Sequence, residues 1–297
     1  MAGEGWGEGK SGQRLTVRVT AKKKEKEMKS RITLISAFII TLSVHAIVHA
    51  DTTLPVQPAP GVKLAYKFTN GETLRYQMVT NTSVTMPGSQ SSATPGMQST
   101  IVLREQVISV SPTGDGTLKV SIESMNITMG GQTMPYSTSG FPAMTMVMAP
   151  NGTVKNMQST TGPNGAAMDW SQMMGSGGLG QNSAIFPTTP VNVGDSWPQV
   201  ISVPAVSGSG TIKAQNQLVK LNVPTGGLNA AVIKRVFSGN MSILNAATAM
   251  TGQAMTYFSP EKGHIVKEQG TMTMQSSGTG QTAGMNMVMS YDMSLIP

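Results

Sequence analysis

From Leu74 onward, apolar and polar residues alternate. Leu74, Tyr76, Met78, Val84 and Met86 fall on even positions and Arg75, Gln77, Asn81, Ser83 and Thr85 on odd ones, a period of two that predicts a half-buried β-strand. A shorter strand is expected ahead of it over Val62 to Phe68, with Leu64, Tyr66 and Phe68 on one side. Between Met97 and Val110 the apolar set moves from odd positions (Ile101, Leu103) to even ones (Ile108, Val110) near Glu105 and Gln106. Similarly, Leu118, Val120 and Ile122 give way to Met125, Ile127 and Met129. One extra residue turns every later side chain to the other face, so the first change predicts a β-bulge or a coil of the sheet, and the repeated changes fit a strongly curved sheet. Met144, Met146 and Met148 alternate into Asn151-Gly152, a pair suited to a two-residue hairpin. Further strands are expected near 197–203, 207–221, 228–237, 241–245, 252–258, 264–275 and 283–296.

Period two is lost between Ser159 and Ile185. There Trp170, Met173 and Met174 stand at i, i+3 and i+4, which predicts one short helix at 166–174, ended by Gly175. The Gly175-Ser176-Gly177-Gly178-Leu179-Gly180 run that follows matches a dinucleotide-binding pattern, but it lies after a helix and outside any βαβ unit, so it predicts no cofactor. Strands joined by short turns with almost no helix give an all-β, antiparallel fold: a strongly curved sheet or half-barrel.

Three turn markers occur twice in the same order. Phe68-Thr69-Asn70-Gly71-Glu72-Thr73-Leu74 is echoed by Pro190-Val191-Asn192-Val193-Gly194-Asp195-Ser196-Trp197, the turn at 112–116 by one at 224–227, and the hairpin at 149–154 by one at 259–266. Two similar halves are therefore expected, about 61–160 and 186–297, in one domain from 61 to 297, with 161–185 as the linker that carries the helix.

The start of the chain changes how the charge is read. Met28-Lys29-Ser30-Arg31, the apolar run from Ile32 to Val44 and Val48-His49-Ala50 predict a secretory signal at 28–50. Residues 1–27 are then an extension upstream of the true start, and 51–60, with Pro55, Pro58 and Pro60, a tether. The whole chain has 21 basic and 14 acidic residues, of which nine and four precede residue 51. The remainder holds 12 against 10, a net charge of +2. Only Lys234 and Arg235 are adjacent in it, so no nucleic-acid partner is expected.

Candidate chemistry is sparse. The chain has no cysteine, and His264 is the one histidine after residue 50, so common zinc sites and Ser-His-Asp triads cannot be assembled. Glu72 and Asp195 occupy matching positions in the repeated openings, where each is expected to order its own turn. The exported protein is therefore read as non-enzymatic. Methionine is the distinctive residue: 24 in all, of which only Met1 and Met28 precede residue 51. Alternating runs place Met144, Met146, Met148, Met272, Met274, Met285, Met287 and Met289 on strand faces, with Trp170, Met173 and Met174 on the helix. Flexible thioethers lining a concave sheet would hold a lipid or other apolar ligand in a methionine-lined cavity, with no cofactor. Two alternatives stand beside this: a periplasmic Cu(I)- or Ag(I)-binding protein, and a structural or adhesive envelope component whose methionines simply fill a core.

The Val191 to Trp197 turn, the Gly71-Glu72-Thr73-Leu74-Arg75-Tyr76 opening and the Phe258-Ser259-Pro260-Glu261-Lys262-Gly263 hairpin resemble a family of secreted bacterial proteins of unknown function. The resemblance implies an exported bacterial β-protein, periplasmic or secreted, and supplies no catalytic residues. In architecture the chain is more loosely similar to periplasmic lipoprotein carriers, whose half-barrels hold acyl chains under a helical lid, although no carrier motif is matched.

Overall fold

The alternation written in the sequence becomes one antiparallel sheet. The structure, a computed structural model, describes residues 61–85, 96–138, 141, 143–159, 184–203, 210–243, 246–277 and 284–297. The expected signal and tether, most of the 89–96 loop and the expected helix with Trp170, Met173 and Met174 lie outside the described residues. In chain order the strands are β1 (Thr73–Thr85), β2 (Met97–Val110), β3 (Gly116–Met129), β4 (Gln132–Tyr136), β5 (Met144–Met148), β6 (Val154–Ser159), β7 (Ser196–Val203), β8 (Gly210–Thr225), β9 (Leu228–Ile243), β10 (Ala246–Ser259), β11 (His264–Ser277) and β12 (Asn286–Ile296).

Their order across the sheet is β6-β5-β3-β2-β1-β12-β11-β10-β9-β8-β7, with β4 on the far half of β3. The path is an up-and-down meander whose last strand returns to pair with its first. Among the described residues β6 and β7 do not pair, so the sheet is open there and is not a closed barrel. Residues of β2, β3 and β5 (Leu103, Leu118, Met146) share a core with residues of β8, β9 and β10 (Leu218, Ile233, Phe258). Strands so far apart in the sheet share a core because the sheet curves round it.

Both phase changes are bulges. Ile108 is the extra residue on β2, between Val107 and Ser109, and Glu123 the extra residue on β3, between Ile122 and Ser124. The first lies three residues beyond Glu105, so the inward face of β2 runs on through Ile101, Leu103, Glu105 and Val107, while Ile108 and Val110 face solvent. Val62 to Phe68 is not a strand: only Val62 bridges to Val191, and the rest of the segment crosses one end of the sheet. Its backbone bonds go to turns instead, with Tyr66 N donating to Pro150 O at 2.6 Å and Lys67 N to Gly263 O at 3.1 Å. The 228–237 and 241–245 segments merge into β9. The Asn151-Gly152 hairpin has three loop residues rather than two, since Ala149 N bonds to Thr153 O and Gly152 takes a φ of 90°.

The repeated openings share a bonding pattern. Gly71 N donates to Val107 O and Val107 N to Glu72 O, both at 2.9 Å; Gly194 N donates to Leu218 O at 2.7 Å and Leu218 N to Asp195 O at 3.0 Å. Each partner strand bulges immediately afterwards, between Val107 and Ser109 and between Leu218 and Lys220.

The inward face carries two apolar clusters with a polar band between them. One cluster fills the end crossed by residues 62–68; the other gathers Ile201, Ile212, Met241, Met250, Met272 and Met274. Between them run buried Asn216 and Arg235, with Arg235 Nε donating to Asn216 Oδ1 at 3.0 Å and Asn216 Nδ2 to Gln199 Oε1 at 3.3 Å. Nearby, Thr256 Oγ1 and the Tyr291 hydroxyl donate to the two oxygens of buried Glu268 at 2.7 and 2.8 Å. Burial and the Glu268 carboxylate keep the Tyr291 phenol protonated. Tyr291→Phe removes a donor from a buried carboxylate and should cost about 2 kcal/mol in urea unfolding; a change under about 0.5 kcal/mol would show that water replaces the hydroxyl.

Candidate functional site

The bulge at Ile108 lets two cross-strand rows build one wall of a cavity. One runs Glu72, Val107, Leu118, Met146, and the next Leu74, Glu105, Val120, Met144. Side chains opposite one another on adjacent strands meet on one face, so Glu105 stands among Leu74, Val120 and its own strand's Leu103 and Val107. Tyr66 and Phe68 from the crossing segment, Gly263, His264 and Ile265 from the β10–β11 hairpin, and Met293 of β12 complete the enclosure. The enclosed space is about 70 Å³.

Aromatic packing behind the cavity fixes Tyr66, which lines it. Phe258, fully buried, meets Phe186 edge-on at 4.6 Å and Tyr66 at 5.3 Å, while Tyr66 stacks on Phe186 at 5.3 Å. Phe186 is held by its own N–H on Asn151 O at 2.8 Å, and Trp197 Nε1 donates to Ile185 O at 2.7 Å.

The polar groups of the cavity are mismatched with their surroundings. Burial raises the Glu105 carboxyl to about 7, and the charge of Glu72 pushes it the same way. Burial also raises the Tyr76 phenol, with Glu105, Tyr66 and Glu72 adding to the effect. His264 is held below its usual value by burial and by Lys262, against an opposing pull from Glu72. Both of its ring nitrogens are buried without a hydrogen-bond partner among the described residues. A neutral imidazole keeps one donor and one acceptor, and buried groups of that kind are ordinarily satisfied.

A pH test follows from Glu105. Its carboxyl binds a proton more tightly in the fold than in the unfolded chain, so its contribution to stability is lost as pH rises from about 4.5 to about 7 and is constant beyond. Glu105→Gln should match the parent near pH 4 and exceed it at pH 8 by up to about 3 kcal/mol. Urea titrations at the two values check this; an equal difference at both would mean that the carboxyl is solvated.

The structure divides the methionines expected to line one cavity. Met144, Met146 and Met148 are buried and line the end cavity. Met272 and Met274 belong to the second cluster, with Met287 and Met289 packed against it. Met285 precedes β12, half-buried and in neither cluster. Asp195 orders its turn, its Oδ2 accepting from Asn192 N at 2.7 Å. Its counterpart Glu72 lines the cavity instead.

No family model and no curated protein matches the chain. Among solved structures, a lipovitellin determined in a study of lipid–protein interactions aligns at 10% identity and a TM-score of 0.43, covering 78% of this chain and 26% of its own. This chain thus spans about a quarter of that one. DynF, from the dynemicin biosynthesis pathway of Micromonospora chersina, aligns at 6% identity and 0.24, covering 80% and 85%. A candidate lipoprotein of Parabacteroides distasonis aligns at 12% and 0.31, covering 78% and 98%. Alignments this remote carry no functional argument.

Proposed function

We propose that this is an exported, non-enzymatic envelope protein that holds a lipid or other apolar ligand in the end cavity. The observation that supports the reading is the wall of Leu103, Val107, Leu118, Val120, Met144, Met146 and Met148 around a hollow that Tyr66 and Phe68 help to line. Small-molecule sites are commonly about 300–1,000 Å³, far above the 70 Å³ present, so a ligand enters by displacing side chains. Unbranched methionines re-pack at low cost, and the three here stand on β5, next to the sheet's last strand, β6. Native mass spectrometry of the protein exported by its own signal and purified without detergent tests this. An added mass in the range of a small lipid is expected; a bare polypeptide that stays bare after lipid is supplied would contradict it.

One observation favours a second reading. Met250, Met274 and Met287 face one another in register across β10, β11 and β12, and Met272 faces Met289 one row on. Thioethers are soft ligands suited to Cu(I) or Ag(I). Ag(I) titration of the protein in the absence of thiols separates this from core filling: stoichiometric binding lost on Met274→Leu supports a metal site, and no binding removes it.

A further inference from the structure

The end cavity is mostly apolar in its walls but carries two carboxyls, Glu72 and Glu105, and these bear on the ligand. Glu72, just ahead of β1, and Glu105 of β2 stand on the same face in neighbouring rows, with the Thr73–Gln106 pair between them. Among the described residues neither carboxylate has an ion-pair or hydrogen-bond partner. The exposed ammonium of Lys67 lies at the cavity's edge but donates to the Glu261 carbonyl at 2.8 Å, and Lys262 pairs loosely with Glu261 at 4.0 Å. His264, neutral and unpartnered, faces the same hollow. Resting on the apolar-ligand reading above, we infer that the cavity selects apolar molecules that carry a protonated amine, the alkyl portion displacing methionine side chains and the ammonium binding the Glu72–Glu105 pair.

The chemistry is direct. Two carboxyls that repel one another in an apolar setting cannot both ionise cheaply, and a cation placed between them removes the repulsion and supplies hydrogen-bond donors. An alcohol of the same length gains the apolar contacts but not the charge. A carboxylate meets like charge and is rejected. His264 offers its acceptor nitrogen to a further N–H. Because Glu105 loses its proton as pH rises through about 7, amine affinity should rise over the same interval, with Glu72, Tyr66, Tyr76 and His264 as the other titratable groups facing the site and Lys67 and Lys262 as the nearby cations.

Calorimetric titration of the full-length protein with octylamine, octanol and octanoate tests the inference at pH 6 and pH 8. At pH 8 octylamine should bind about tenfold or more tighter than octanol, and octanoate weakest of the three. The Glu72→Gln/Glu105→Gln double variant should bring amine and alcohol to parity while keeping octanol affinity. If that variant does not fold, the parent protein still decides the matter, because amine affinity should rise from pH 6 to pH 8 and octanol affinity should not. Equal affinity for amine and alcohol, or a preference for octanoate, would overturn the choice of head group and leave the apolar cavity standing. Failure of all three to bind would instead overturn the cavity reading beneath it.

Discussion

Phe258→Ala should lower the stability of the fold by about 4 kcal/mol, near the top of the range for a buried aromatic. Phe258 is fully buried and in ring contact with both Tyr66 and Phe186. Those two belong to segments outside the strands, the 62–68 crossing and the stretch before β7, so Phe258 is where both dock on the sheet. Its loss leaves a void against Tyr66 and Phe186 and removes two edge-on contacts worth more than their area alone. Urea unfolding followed by far-ultraviolet circular dichroism measures the cost. A loss below about 1.5 kcal/mol would mean that Tyr66 and Phe186 collapse to fill the space and that Phe258 does not fix the position of Tyr66 at the cavity.

Gly263→Ala should be nearly as damaging, by about 3 kcal/mol, for two reasons that add. Gly263 has a φ of 74°, a left-handed conformation that costs an ordinary residue about 1–2 kcal/mol. A Cβ there would also collide with the backbone nitrogen and side chain of Lys67, which bonds to Gly263 O. Relief requires the crossing segment to lift off the hairpin, which opens the cavity beside His264. Gly71→Ala is the control: its φ is 81°, but a Cβ there meets nothing within 4 Å, so it should cost only the conformational part. Equal losses for the two would remove the steric argument and leave strain alone.

Much of the sheet was legible because a half-buried strand writes its environment with a period of two. Leu74 to Val84, Leu118 to Ile122 and Met285 to Leu295 gave β1, β3 and β12 in this way, and the apolar phase changes, open to a bulge or a coil of the sheet, are bulges. The bulge on β2 was misplaced because Glu105 stands on the inward face, and a charge at that position looks like the point where the face turns outward. That same charge was the strongest sign of the cavity: a carboxylate in step with Ile101, Leu103 and Val107 is a polar group held inside. Tyr66 and Phe68 alternate like a strand, but their alternation reflects one side packed on the sheet end rather than a ladder partner. The assignment of methionines to one hollow failed to separate two clusters, because alternation reports which face a residue is on and not how far along the strand it lies. Met146 and Met274 share the inward face at different levels, with the Asn216, Arg235, Glu268 and Tyr291 band between their clusters.

On the reading proposed above, the end cavity, and not the second methionine cluster, receives an apolar ligand. Methionine ε-methyl NMR tests it most directly, with full-length protein carrying 13C-methyl methionine, resonances assigned by single Met→Leu variants, and octanol and octylamine as ligands. Saturable shifts are expected at Met144, Met146, Met148 and Met293, while Met241, Met250, Met272 and Met274 stay still. Shifts confined to the second group, or no shift at saturating ligand, would contradict it.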